Sequence, residues 1–187
     1  MTVKLFFCAL RTYHGATVMD PEIANLVGAL SLAVMDRIEQ AARHITSHGG
    51  ETPAALVVIG YGPGISNDRL RRILNRSHSG TVRLVDRLVA DGLVERRPGY
   101  DGREVALHLT TKGAATRKEL LASRISAVAS LVEVLSMSEK RQLGHLIRAV
   151  LSRQETSEWD RFTICRMCDN RHCTNCPLPT RKSKRDI

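Results

Sequence analysis

The chain has 187 residues, of which 43% are hydrophobic, so it is long enough for one buried core with appended segments. Its 28 Lys and Arg against 19 Asp and Glu give a formal net charge of +9, which suits an anionic partner such as nucleic acid or a membrane surface. No apolar run approaches the roughly 18 residues of a membrane span, which excludes a membrane-embedded protein.

Residues 1–19 are expected to form an N-terminal extension. Its apolar stretch, residues 5–10, is too short for a secretory signal, so the protein is expected to be cytoplasmic. A first helix is predicted over residues 20–48, since Asp20 and Pro21 favour a helix start and two glycines follow at 49–50. Either a partner subunit or the chain's own core would cover its apolar stripe, formed by Leu26, Leu30, Ala33, Val34, Ile38 and Ala41.

A second, strongly apolar helix is predicted to begin at Thr52-Pro53 and to end at the glycines of 60–64. Ile65 is the candidate for a strand of one or two residues. Ser66 or Asn67 then caps a helix over 68–75. In that helix Leu70, Ile73 and Leu74 are predicted to face inward, and the arginines outward: Arg69, Arg71, Arg72 and Arg76.

Residues 77–113 have the pattern of a helix followed by a hairpin. The helix has apolar residues at steps of three and four, namely Val82, Val85, Leu88 and Val89. Gly92 is the expected left-handed residue after its end. A strand over 93–97 becomes basic as it leaves the core, a turn follows at 98–102, and a second strand returns over 105–109. A helix with a small polar start and an adjoining basic hairpin is a winged helix-turn-helix, a unit that reads DNA.

Two more helices are predicted, over 114–135 and from Ser136 or Ser138 to about residue 154. The fold class is therefore mainly α (α+β): a winged helix-turn-helix over 52–113 with long N- and C-terminal helices over 20–48 and 114–154. After Gln154 the composition becomes polar, then rich in cysteine, then basic. Residues 155–187 are accordingly predicted to be a separate tail.

The basic excess lies around the predicted DNA-reading unit. Residues 66–118 contain twelve Arg or Lys and six Asp or Glu. A solvated basic face is the simpler explanation of a high net charge. Because the charge is concentrated on this motif, DNA is favoured as the partner.

Three linked signatures in register carry a family resemblance: D-R-L-x-x-x-G-L-V-x-R over 86–96, D-x-R over 101–103 and L-T-x-x-G over 109–113. Residues 20–154 resemble the MarR-type transcriptional regulators. The resemblance implies a homodimer built from the N- and C-terminal helices, with double-stranded DNA containing a pseudo-palindromic operator as partner. It also implies that repression is relieved by a small-molecule effector or by thiol oxidation.

On this resemblance, the recognition-helix positions are Ser77, His78, Ser79, Thr81 and Arg83. Small hydroxyl residues let the helix start lie deep in the major groove, where Ser, Thr and His can bond to base edges or phosphates. Arg103 resembles the wing arginine that enters the minor groove, with Asp101 fixing the turn. Arg87, Arg96 and Arg97 suit phosphate contacts, and an ion pair with Asp86 or Asp91 is the alternative for Arg87. Gly80 departs from good helix-forming sequence.

Four cysteines in the tail form the pattern C-x2-C-x4-C-x2-C-P: Cys165, Cys168, Cys173 and Cys176. Four thiolates at this spacing can surround one tetrahedral zinc ion, so zinc is the first candidate cofactor. An iron–sulfur cluster is the alternative, although its bacterial spacing C-x2-C-x2-C-x3-C-P differs. A reversible disulfide comes third, and His172 could replace one thiolate. We expect metal or redox state here to alter the packing of the terminal helices.

The predicted function is a sequence-specific DNA-binding transcriptional regulator, a repressor in our interpretation, that acts as a homodimer and is modulated at the cysteine cluster. An enzyme is not predicted, because the seven histidines are scattered and the glycines of 60–64 lack the lysine of a phosphate-binding loop. Two alternatives stay open at this stage: a thiol or metal redox protein, and a non-specific architectural DNA-binding protein.

Overall fold

The computed structural model describes residues 20–46, 49–99, 105–154, 158–173 and 175–178. Seven helices and three strands are assigned in this part of the chain: α1 Pro21–Arg43, α2 Thr52–Tyr61, β1 Ile65–Ser66, α3 Asn67–Ile73, α4 His78–Ala90, β2 Val94–Pro98, β3 Val105–Leu109, α5 Thr111–Leu131, α6 Met137–Ser152 and α7 Glu158–Ile164. The mainly helical fold with a small antiparallel sheet confirms the predicted winged helix-turn-helix class.

Helix α1 crosses the boundary between two compact units, residues 1–33 and 34–187. Its start is as predicted, since the Asp20 carboxylate accepts the backbone N–H of Glu22 at 3.0 Å. Its end is not: the helix stops at Arg43, short of the predicted 48. The Ala42 carbonyl accepts the backbone N–H of Ile45, three residues on, as well as the N–H and hydroxyl of Thr46, so the chain tightens after Arg43.

The core of the second unit lies between α2, α3, α4, the sheet and α5. Every residue of α2 from Thr52 to Ile59 is buried, as its continuous apolar sequence requires. The largest fully buried aliphatic side chains are Leu56, Ile59, Leu70, Leu84, Leu88, Leu107, Leu120 and Leu121. In α4 the buried face is formed by Thr81, Leu84, Val85 and Leu88, whereas Val82 is only half-buried. The predicted stripe was therefore misplaced at its N-terminal end.

The three strands form an antiparallel sheet in the order β1-β3-β2. Ile65 pairs with Leu107, and Val94 pairs with Leu109, so the two-residue strand and the hairpin are joined through β3. Helix α3 begins at Asn67 under a Ser66 cap and ends at Ile73, two residues before the predicted end. Asn75 beyond it has a φ of 50°, a left-handed conformation that asparagine tolerates better than most residues.

The end of α4 and the start of α5 are joined by hydrogen bonds through Thr110. Its hydroxyl donates to the Gly92 carbonyl at 2.7 Å and accepts the Gly113 N–H at 3.0 Å. Gly92 has a φ of 68°, which favours glycine. A Cβ on Gly113 would lie 1.9 Å from the Leu93 carbonyl oxygen, so only glycine permits this approach. The L-T-x-x-G signature thus has a packing origin.

Helix α5 ends at Leu131 rather than at the predicted 135, and Ser136 rather than Ser138 caps α6. A complete capping box forms there, in which the Ser136 and Glu139 side chains each bond the other's backbone N–H. Among the helices that the structure describes, none combines the length and apolar character needed to cross a bilayer.

Candidate functional site

The start of α4 presents a small polar surface to solvent. Ser77, His78 and Ser79 are all exposed. The Ser77 hydroxyl accepts the backbone N–H of Gly80 at 3.2 Å and so caps the helix. A Cβ on Gly80 would lie 3.0 Å from that hydroxyl, which explains a glycine in the first turn of a helix. The exposed surface is thus fixed by its own cap.

Thr81 does not belong to this exposed surface, contrary to the prediction. Its side chain is buried, with 1% of its surface exposed, and its hydroxyl donates to the Ser77 carbonyl at 3.0 Å. Because the hydroxyl is satisfied inside the helix, Thr81 supports the first turn and offers no donor to a ligand outside. The misassignment came from counting recognition positions in sequence without the helical phase.

Exposed arginines follow later in α4 and in the hairpin. Arg83 and Arg87 are exposed on α4, and Arg97 is exposed on β2, where it forms an ion pair with Glu95. Arg96 binds Asp86 at 2.6 Å and so links β2 to α4. One alternative predicted that Arg87 pairs with Asp86. In the structure, Asp86 instead pairs with Arg96. Arg103 and Asp101, predicted at the wing tip, lie outside the described residues.

The second predicted site is formed by the cysteine segment, residues 165–176. All four thiols are half-buried and line one cleft of about 700 Å³, together with residues of α2 and α3 that include Tyr61, Arg69 and Ile73. The structure thus brings Cys165, Cys168, Cys173 and Cys176 together. In the described part of the chain, no three Cys, His, Asp or Glu side chains are already arranged as a metal site.

The thiols influence one another. The pKa of Cys168 is lowered to about 6, mainly by the hydrogen bond from Cys165, and the positive charge of Arg124 contributes to the lowering. The same bond to Cys168, followed by burial, raises the pKa of the Cys165 thiol. Burial is the main cause that raises the pKa of Cys173. A proton shared between Cys165 and Cys168 is the arrangement expected of two close, interacting thiols.

Asp169, between the two cysteine pairs, is a buried carboxylate that the sequence did not single out. Arg171 donates to it at 2.7 and 2.9 Å, and the His172 Nδ1 lies 3.1 Å from it. The Arg171 hydrogen bond is the main reason that the pKa of Asp169 is held well below its usual range. His172, predicted as a substitute ligand, is exposed and turns its Nδ1 toward Asp169.

The described contacts of the cysteine segment, and of α7 before it, reach both the helix-turn-helix and a terminal helix. The influence of this segment on the packing of the terminal helices stays a prediction. The Tyr61 hydroxyl on α2 donates to the Cys168 carbonyl at 2.6 Å, and the Thr163 hydroxyl donates to the Ile73 carbonyl at 2.9 Å. One bond reaches α6, from Arg148 to the Asn175 carbonyl at 2.8 Å. The sequence analysis missed Tyr61 and Thr163, because neither lies in a motif that predicts a contact with a residue so far away in the sequence.

Comparison with known proteins agrees with this geometry. Residues 51–104 match the family model described as MarR family. The transcriptional repressor MprA of Escherichia coli K12 is 34% identical over 97 residues, which are 51% of this chain and 55% of that protein. The chain therefore spans about half the length of the curated relatives it matches.

Solved structures extend the similarity beyond the winged helix, since they cover more of the chain than residues 52–113. The apo form of MarR from E. coli is 27% identical, with a TM-score of 0.56, over 66% of this chain and 95% of that one. RV1404 from Mycobacterium tuberculosis is 22% identical, with a TM-score of 0.64, over 78% of this chain and 100% of that one, and shows the shared fold. These matches are to a family of regulators and not of enzymes. Over residues 51–104 this chain thus matches the MarR family of transcriptional regulators, and its fold is the winged helix-turn-helix fold of a solved MarR structure.

Proposed function

We propose that the protein is a sequence-specific DNA-binding transcriptional regulator, and specifically a repressor. The observation that carries the proposal is the capped, solvent-exposed start of α4, where Ser77, His78 and Ser79 are exposed and exposed arginines follow on the same helix. Small side chains allow the helix start to enter the major groove, and a histidine or serine can then bond to a base edge. The repressor role is supported by the name of the relative MprA.

Base contacts and phosphate contacts are divided between different residues. Ser79, His78 and Arg83 are the proposed base-reading residues, because they lie at the exposed start and first turns of α4. Arg87 and Arg97 are the proposed phosphate contacts, and Arg103 is the proposed minor-groove contact. Phosphate contacts set the position on the duplex, while base contacts select the sequence.

The test is selection of preferred duplexes from random DNA, followed by titration of the selected duplex and a scrambled one at several salt concentrations. We expect the selected duplex to bind about 1000-fold more tightly than the scrambled one at moderate salt. Equal affinity for both, with a steep salt dependence, would instead identify a non-specific architectural protein.

We propose that the active form is a homodimer. Large apolar side chains are exposed on α1, among them Ile23, Leu26, Val27, Leu30 and Met35, and on α6, where they are Leu146, Ile147 and Val150. Apolar rows on amphipathic terminal helices are typical of an interface with a second subunit. A two-fold pair of readers would in turn require a pseudo-palindromic operator with half-sites about one helical turn apart.

The double substitution Leu146→Glu/Val150→Glu is expected to raise the dimer dissociation constant by at least about 100-fold, since two buried aliphatic contacts per subunit are lost. Sedimentation equilibrium would measure it. The control is Arg141→Glu, which changes charge on the opposite face of α6 and should leave the dimer intact. If the double variant sediments as a dimer at micromolar concentration, α6 is not the interface.

We propose that the cysteine segment modulates DNA binding through a bound metal. Zinc is the first candidate cofactor, because four thiols in two C-x2-C pairs line one cleft. An iron–sulfur cluster is the alternative occupant, and a reversible disulfide within the segment is the metal-free alternative. A small-molecule effector, which the family resemblance implies, is an additional partner.

A further inference from the structure

Among the described residues, two side-chain hydrogen bonds to backbone groups join the cysteine segment and α7 before it to α2 and α3, and Arg166 adds an ion pair with Glu51 at 3.9 Å. At the first, the Tyr61 hydroxyl donates to the Cys168 carbonyl at 2.6 Å and accepts the Asn170 N–H at 3.0 Å. One phenol therefore holds the backbone between the two cysteine pairs. Arg117 lies 4.1 Å from the centre of the Tyr61 ring and fixes its orientation.

The second point is at the end of α3. The Thr163 hydroxyl donates to the carbonyl of Ile73, the last residue of that helix, at 2.9 Å. Next to it, Arg69 of α3 lies 5.9 Å from the centre of the Phe162 ring. Ile73 is buried in the core, and α3 packs directly against α4. A shift of α7 and the cysteine segment would therefore act on α3, which supports the recognition helix α4.

The surroundings of the thiols suit a metal centre with excess negative charge. Four thiolates around a divalent ion leave a net negative charge, which needs nearby cations. Arg148 provides one such cation, since it donates to the Asn175 carbonyl at 2.8 Å, directly before Cys176.

The thiols do not yet form a metal arrangement, so binding must draw them inward to bonds of about 2.3 Å. Cys168 belongs to the backbone held by Tyr61, and Cys165 directly follows the helix that contains Thr163. A movement of the thiols toward a bound ion would therefore act on both hydrogen bonds, at the Cys168 carbonyl and at the Ile73 carbonyl.

We propose that Cys165, Cys168, Cys173 and Cys176 bind one zinc ion, and that zinc tightens the cysteine segment on Tyr61 and Ile73, fixing α3 beneath the recognition helix. The consequence for DNA affinity rests on the proposed function. The metal site and its effect on α3 do not depend on whether the protein regulates transcription.

The metal site is tested on full-length protein purified without oxygen. Elemental analysis is expected to find one zinc per chain, and cobalt added after chelation should give the absorption bands of a tetrahedral thiolate site. Cys173→Ser/Cys176→Ser should abolish both signals. Iron with sulfide, or no metal and no cobalt spectrum, would overturn the zinc assignment.

The coupling is tested by hydrogen exchange. Zinc added to the metal-free protein should slow amide exchange in α3, residues 67–73, by about 10-fold or more. In the variant Tyr61→Phe/Thr163→Val the cobalt spectrum should persist while this slowing is reduced. Thr116→Val, which removes a hydroxyl bond within α5, is the control and should retain the slowing. Unchanged α3 exchange in the metal-bound wild-type protein would overturn the coupling.

Operator affinity separates this inference from the proposed function. We expect zinc to strengthen binding to the selected duplex by about 5-fold or more, an effect that Tyr61→Phe/Thr163→Val reduces. If zinc binds and slows exchange in α3 but no duplex is selected, the proposed function fails while the metal coupling stands. If a duplex is bound equally with and without zinc, the regulatory part of the inference fails.

Discussion

Gly113→Ala is expected to lower the free energy of unfolding by about 3 kcal/mol, at the upper end for an overpacked site. The new Cβ would lie 1.9 Å from the carbonyl oxygen of Leu93, a backbone atom that also accepts the N–H of Thr110. A flexible side chain could rotate away, but this oxygen cannot move without breaking the junction between α4 and α5. Urea denaturation followed by circular dichroism would measure the loss.

Two comparison variants separate the clash from other properties of glycine. Ala115→Gly, at an exposed position two residues later in α5, should cost only about 1 kcal/mol through helix propensity. Gly92→Ala should also cost about 1 kcal/mol, because its φ of 68° is unfavourable but the space around it is open. Gly113→Ala improves helix propensity, so a stability equal to or above wild type would show that Leu93 does not restrict this position.

Ser79→Ala/Arg83→Ala is expected to weaken binding to the selected operator by about 100-fold or more, since contacts of about 1–3 kcal/mol are lost in each of two readers. Both side chains are exposed, and the helix cap at Ser77 remains, so the fold should not change. Fluorescence anisotropy with the operator and with a scrambled duplex would measure the loss. The affinity for the operator should fall much more than the affinity for the scrambled duplex.

Arg97→Ala is the contrasting variant. A phosphate contact carries no sequence information, so its loss should weaken binding to both duplexes similarly and reduce the salt slope by about 1 per subunit. If instead Ser79→Ala/Arg83→Ala weakens both duplexes to the same extent, the start of α4 does not read bases, and sequence selection must be assigned elsewhere.

Most of the winged helix could be predicted from sequence because its signals are local. Ser77 caps α4, Gly92 follows α4 with a positive φ, and residues 105–109 form the predicted returning strand. Each of these depends on side-chain chemistry within a few residues. The family signatures then indicated that these elements form a winged helix-turn-helix, and the structural comparisons confirm that fold.

Tertiary contacts set the features that sequence reasoning placed wrongly or missed. Thr81 has a side chain of the type that contacts DNA, but it lies on the buried face of α4. Which face of a helix is buried depends on how the helix packs on the core. Tyr61 ends an apolar helix, and its partner, the Cys168 carbonyl, is a backbone group that exists in every residue. No local pattern identifies such a pair, so the attachment of the cysteine segment to α2 and α3 required the folded chain.

The Asp86–Arg96 ion pair, at 2.6 Å between α4 and β2, bears on how an effector can act. Because helix and strand are cross-linked by this pair and share a core, each subunit is expected to meet the duplex as a single rigid body. In the proposed homodimer, a small-molecule effector is then expected to change occupancy by altering the distance or tilt between the two readers, so that one half-site is engaged while the other falls out of phase with the helical repeat.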